Sequence, residues 1–106
     1  MFHTIEQAKE QIATLEALER LNNNPDFQKV IIEGYCQGNS DVLVRLLSQS
    51  ANERQYTERC NKLLAISYFR EFMYALMAEG NEAKAKLNDP EFFKALQETE
   101  TEVLNG

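Results

Sequence analysis

From Leu63 to Ala78 the chain reads LLAISYFREFMYALMA, and this stretch restricts the fold more than any other. On a wheel of 100° per residue, Ser67, Arg70 and Glu71 cluster on one narrow arc, flanked by Leu63 and Tyr74. The rest is apolar: Leu64, Ala65, Ile66, Tyr68, Phe69, Phe72, Met73, Ala75, Leu76 and Met77. The apolar arc spans roughly 220°, about twice what a helix resting on one neighbour requires. Such a helix must be covered from two sides, by the remainder of its own chain or by a second molecule. Aromatic and Met side chains are enriched in interface cores, and the other predicted helices offer only two or three large anchors each. The candidate interface is therefore Tyr68, Phe69, Phe72, Met73, Leu76 and Met77. The helix is predicted over about 54–79, with Gly80 as its C-terminal cap.

Thr4 and Gln7 have capping-box spacing, and Ile5, Ala8, Ile12 and Leu15 recur at three- and four-residue intervals. These define an N-terminal amphipathic helix over about 4–22. Glu6, Lys9, Glu10 and Glu16 line its other face, leaving a narrow seam like that of a coiled coil. Too short to be stable alone, this helix must pack on something, so Ile5, Ile12 and Leu15 join the candidate interface.

Two later stretches share one idiom: NPDFQKVI at 24–31 and DPEFFKAL at 89–96. Asn24 or Asp89 accepts orphan amide hydrogens, Pro25 or Pro90 has no amide hydrogen to leave unpaired, and the acid that follows complements the helix dipole. Similarity ends after eight residues, which favours a shared way of starting a helix over an internal repeat without deciding between them. Phe27, Val30, Ile31 and Tyr35 predict the apolar face of a second helix. Gly34 and Gly38 weaken its end, and 38–41 reads as a turn with Ser40 capping a short third helix through Leu47. A polar connector follows at 48–53. The last helix starts at Asp89, and 98–106 is expected to fray as an acidic tail. The fold class is all-α, a bundle of about five helices in a single domain, 1–106.

Eleven Lys and Arg against seventeen Asp and Glu give a net charge of −6, which argues against a general binder of phosphate backbones. Cys36 and Cys60 lack metal-ligand spacing and are expected to be reduced. The one histidine, His3, lies near the N-terminus, where no nucleophile and orienting group accompany it. Glu58, Glu71 and Glu79 read as a solvated helix face, and Arg54, Arg59 and Lys62 as partners for intrahelical pairing. No catalytic residue, metal site or cofactor is proposed, and no apolar run is long enough for a membrane span.

Residues 18–35, LERLNNNPDFQKVIIEGY, with Val44-Arg45-Leu46-Leu47, resemble a group of small acidic helical proteins encoded in tailed-bacteriophage genomes. The motif residues are Asn24-Pro25-Asp26-Phe27 and Glu33-Gly34-Tyr35; Cys36-Gln37-Gly38-Asn39 departs from the more charged continuation of the group. The resemblance implies a non-enzymatic phage protein that works by association in virion assembly, with a second copy of itself or a phage structural protein as partner. It implies a place in the host cytoplasm, extending to the virion. Two alternatives stay open: a small regulator that inhibits a host defence or transcription protein, and an oligomeric sponge for a small ligand.

Overall fold

The computed structural model describes residues 2–105, with side chains through residue 102, and all regular structure among them is helical. Four continuous helical stretches replace the five expected. They are α1 (Ile5–Asn22), α2 (25–47), α3 (Glu53–Leu87) and α4 (Pro90–Asn105). The reduction arises in α2, where Pro25–Phe27, a π-helical stretch Gln28–Asn39 and Ser40–Leu47 follow one another without interruption. The turn expected at 38–41 is absent. Ser40 has φ −60° and ψ −45°, ordinary helical values, and none of the described glycines adopts a positive φ.

Hydrophobic spacing accounts for the π-helix. Continued as a plain α-helix from Phe27, the side chains of Phe27, Ile31, Tyr35, Ile32, Cys36 and Leu43 would spread over an arc of roughly 180°. A π-helix, with i→i+5 hydrogen bonds and roughly 82° per residue, narrows the same set to roughly 115°. One face then reaches one core. Val30, expected on that face, is instead 63% exposed.

The second correction concerns Gly80, which caps nothing: α3 runs seven residues beyond it to Leu87. Gly80 is buried because α1 crosses there. A Cβ at this position would overlap that of Leu15 and lie 3.1 Å from the Gln11 carbonyl oxygen. α4 runs through 98–105, within the 98–106 expected to fray; residue 106 lies outside the described residues.

Packing divides the chain into two compact units, Met1–Glu19 with Tyr74–Gly106, and Arg20–Met73. In the first unit Phe2, Ala8 and Ala83 are buried, with Ile12, Leu87, Phe92 and Leu96 against them. Phe2 meets Phe92 edge to face, ring centroids 5.8 Å apart. Thr4 Oγ1 accepts the Gln7 amide hydrogen, and Gln7 Oε1 accepts that of His3, so the capping box closes one residue further out than its simplest form. Glu100 of α4 accepts the Ile5 amide hydrogen at 2.6 Å and satisfies another orphan donor of α1.

In the second unit Cys36, Leu43 and Ile66 are buried, and Ile31, Ile32, Tyr35, Leu63 and Phe69 pack around them. Tyr35 and Phe69 meet edge to face at 6.0 Å. Asn24 Oδ1 accepts from Asp26 and Phe27, as Asp89 Oδ1 does from Glu91 and Phe92, so both halves of the shared idiom are N-caps. The start of α3 is capped in the same manner. Asn52 Oδ1 accepts from Gln55, whose own side chain accepts from Ala51. Arg59 donates to the Leu46 carbonyl and, at 3.0 Å, to Ser50 Oγ, which fixes the end of α2 and the connector after it.

Candidate association surface

Within the second unit, α3 turns Leu63, Ile66 and Phe69 toward α2, and these side chains are buried or half-buried. Three- and four-residue spacing keeps them on one face. Leu64, Tyr68 and Phe72, spaced at i, i+4 and i+8, lie on the side away from Ile66. They are 48%, 62% and 61% exposed. The wide apolar arc is therefore covered by its own chain on one side and bare on the other.

Side chains of this size expose on the order of 300 Å2 of apolar surface as a stripe. That is comparable with the largest apolar patch of an ordinary monomer, a patch that is often functional. At roughly 25 cal/mol per Å2, covering the stripe contributes several kcal/mol. Thr57, Asn61 and Ala65 share the face and are exposed, so the stripe is bordered by small side chains that permit a close helix approach. Glu71 stands beside it, also exposed.

The nine candidate interface residues separate by environment. Tyr68, Phe72 and Met77 are exposed; Phe69, Met73, Leu76, Ile5 and Ile12 are half-buried; Leu15 is fully buried. Phe69 is engaged with Tyr35, Ile12 packs on the Phe2 cluster, and Leu15 is held against Gly80. Met77 and Leu76 belong to the other unit. Leu64 was not among the sequence candidates. Its signal was the i+4 spacing to Tyr68, hidden because the wheel alone does not say which side of α3 the chain covers.

The first unit holds a polar groove of about 390 Å3 lined by His3, Gln7, Glu10, Gln11, Thr14, Leu76 and Glu79. Leu76 is the one apolar side chain in that lining. Among the described residues no cluster of His, Cys, Asp or Glu is placed to hold a metal ion, and no helix is long and apolar enough to cross a membrane. Cys36 is buried and Cys60 half-buried, both as free thiols. Comparison of the chain with protein-family models, curated proteins and solved structures finds no match.

Proposed function

We propose that this chain is a non-enzymatic association protein and that the outer face of α3 is where it associates. The observation that carries this reading is the exposure of Leu64, Tyr68 and Phe72 as one helical stripe. We propose a second copy of the chain as the occupant. Tyr68 stands midway between Leu64 and Phe72, so an antiparallel copy brings Leu64 of one chain against Phe72 of the other, a self-complementary arrangement of the kind two-fold dimers use. The resemblance of residues 18–47 supports virion assembly in a tailed phage as the setting.

The stripe is smaller than the roughly 800 Å2 per partner of a standard stable interface. Association is therefore expected to depend on concentration. Each copy carries a net charge of −6, so repulsion opposes pairing, and added salt should strengthen it by screening. The test is light scattering on the separated protein at rising salt, with Tyr68→Glu/Phe72→Glu beside it. The reading predicts a mass that grows with salt in the native chain and stays at 12.2 kDa in the variant. Equal masses for the two proteins under all conditions would remove the stripe as the interface.

A further inference from the structure

We propose that the polar groove of the first unit is a binding site for a small aliphatic diamine or a short polyamine. The proposal is independent of what the α3 stripe binds. Its first ground is where the charge of the chain lies. Met1–Glu19 and Tyr74–Gly106 together hold eleven Asp and Glu against four Lys, a net −7, whereas Arg20–Met73 holds six Asp and Glu against seven Lys and Arg, a net +1. The whole excess of negative charge belongs to the unit that contains the groove. A cleft lined by one sign of charge concentrates ligands of the other.

The lining narrows the class of cation. Glu10 comes from α1 and Glu79 from α3, no Lys or Arg joins them, and neither carboxylate takes part in an ion pair among the described residues. Glu79 is half-buried, a setting in which a carboxylate is ordinarily paired. The Thr14 hydroxyl donates to the Glu10 carbonyl at 3.0 Å, so what it offers the groove is an acceptor. These groups call for a ligand rich in N–H donors.

A single metal ion does not suit them, because the acidic side chains and His3 are not grouped closely enough to share one. Positive charges held apart by methylene groups reach separated carboxylates. Leu76, the one apolar side chain of the lining, meets the methylenes. No aromatic side chain lines the groove, which disfavours a quaternary ammonium ligand. The volume of about 390 Å3 suits a small molecule, at the lower end of the roughly 300–1,000 Å3 of such sites.

The test is calorimetric titration of the full chain with the diamine putrescine, beside butylamine, which has one charge, and butanediol, which has none. Putrescine should saturate one site in about 0.1 M salt, with butylamine about tenfold weaker and butanediol silent. Glu10→Gln/Glu79→Gln should weaken putrescine by about a hundredfold. Glu6→Gln/Glu16→Gln removes the same charge from exposed positions outside the lining and should change binding less than about threefold. Equal weakening in the two variants would overturn the site, because attraction would then come from the unit's charge as a whole. So would absence of saturable binding to the native chain. Amide shifts of the native chain locate the ligand without any substitution: they should fall on 7–14 and 76–79, and shifts confined to the acidic end of α4 would equally overturn the site.

Discussion

One helix, α3, packs in two different ways along its length. In the unit formed by Arg20–Met73 it contributes large side chains to the core, Leu63, Ile66 and Phe69, and has large ones left over on its other side. In the other unit it contributes Gly80 and Ala83, and α1 comes close enough for Leu15 to lie on the glycine. The contrast teaches that an apolar helix is not a uniform adhesive. Where its residues are small, as at Gly80 and Ala83, the neighbouring helix approaches closely, although Tyr74 in the same part is 62% exposed. Where they are large, α2 covers one face and the opposite face stays available.

The sharpest way to break this contrast is to truncate one residue on each side of α3. Ile66→Ala should cost about 2–5 kcal/mol, because it empties a packed core position. Phe72→Ala should change monomer stability by no more than about 0.5 kcal/mol. Urea unfolding at low protein concentration measures both. Similar losses at the two positions would show that Phe72 is covered within its own chain.

Gly80→Ala sharpens the other half of the comparison. A single methyl group must displace Leu15 or separate α1 from α3, at about 1–3 kcal/mol. Ala78→Gly, on an exposed position of the same helix, should cost about 1 kcal/mol through helix propensity alone. If Gly80→Ala were stabilising, as propensity by itself would have it, the close crossing would be wrong.

These two faces and this glycine also show how far the sequence could be read. The helix starts were legible because Asn24-Pro25 and Asp89-Pro90 are local chemistry, and their side chains accept the amide hydrogens expected of N-caps. The long apolar helix was legible from periodicity. Gly80 was not, because a glycine that ends a helix and one that admits a neighbour look alike until Leu15, far back in the chain, is placed beside it. Gly34 and Gly38 read as a weak helix end, yet the helix runs through both. The candidate site was half legible: the width of the apolar arc identified α3, but which part of it stays uncovered depends on tertiary packing by α2.

Smaller effects separate the units by their caps. Asn24→Ala and Asp89→Ala should each cost about 1 kcal/mol. Hydrogen exchange should place the first loss in amides of the Arg20–Met73 unit and the second in α4. Loss spread evenly over the whole chain in both variants would argue that the two units unfold as one.

The smallest effect is electrostatic. Lys86 donates to Glu82 at 2.8 Å and lies over the Phe92 ring at 5.3 Å. That hydrogen bond, with the charge behind it, holds the Glu82 carboxyl below its ordinary value. A lowered carboxylate stabilises the fold above the unfolded-state pKa and ceases to do so as pH falls through the folded-state value. Thermal unfolding should therefore show a constant small gap between the native chain and Glu82→Gln above about pH 5, closing toward acid. A gap that widens in acid would contradict the sign.

The bare outer face of α3 is the centre of this account, and solution mass tests it most directly. Light scattering over a concentration and salt series should show the native chain rising from 12.2 kDa toward twice that mass, with Tyr68→Glu/Phe72→Glu remaining at the lower value. A native chain that stays at 12.2 kDa throughout would contradict self-association through Leu64, Tyr68 and Phe72.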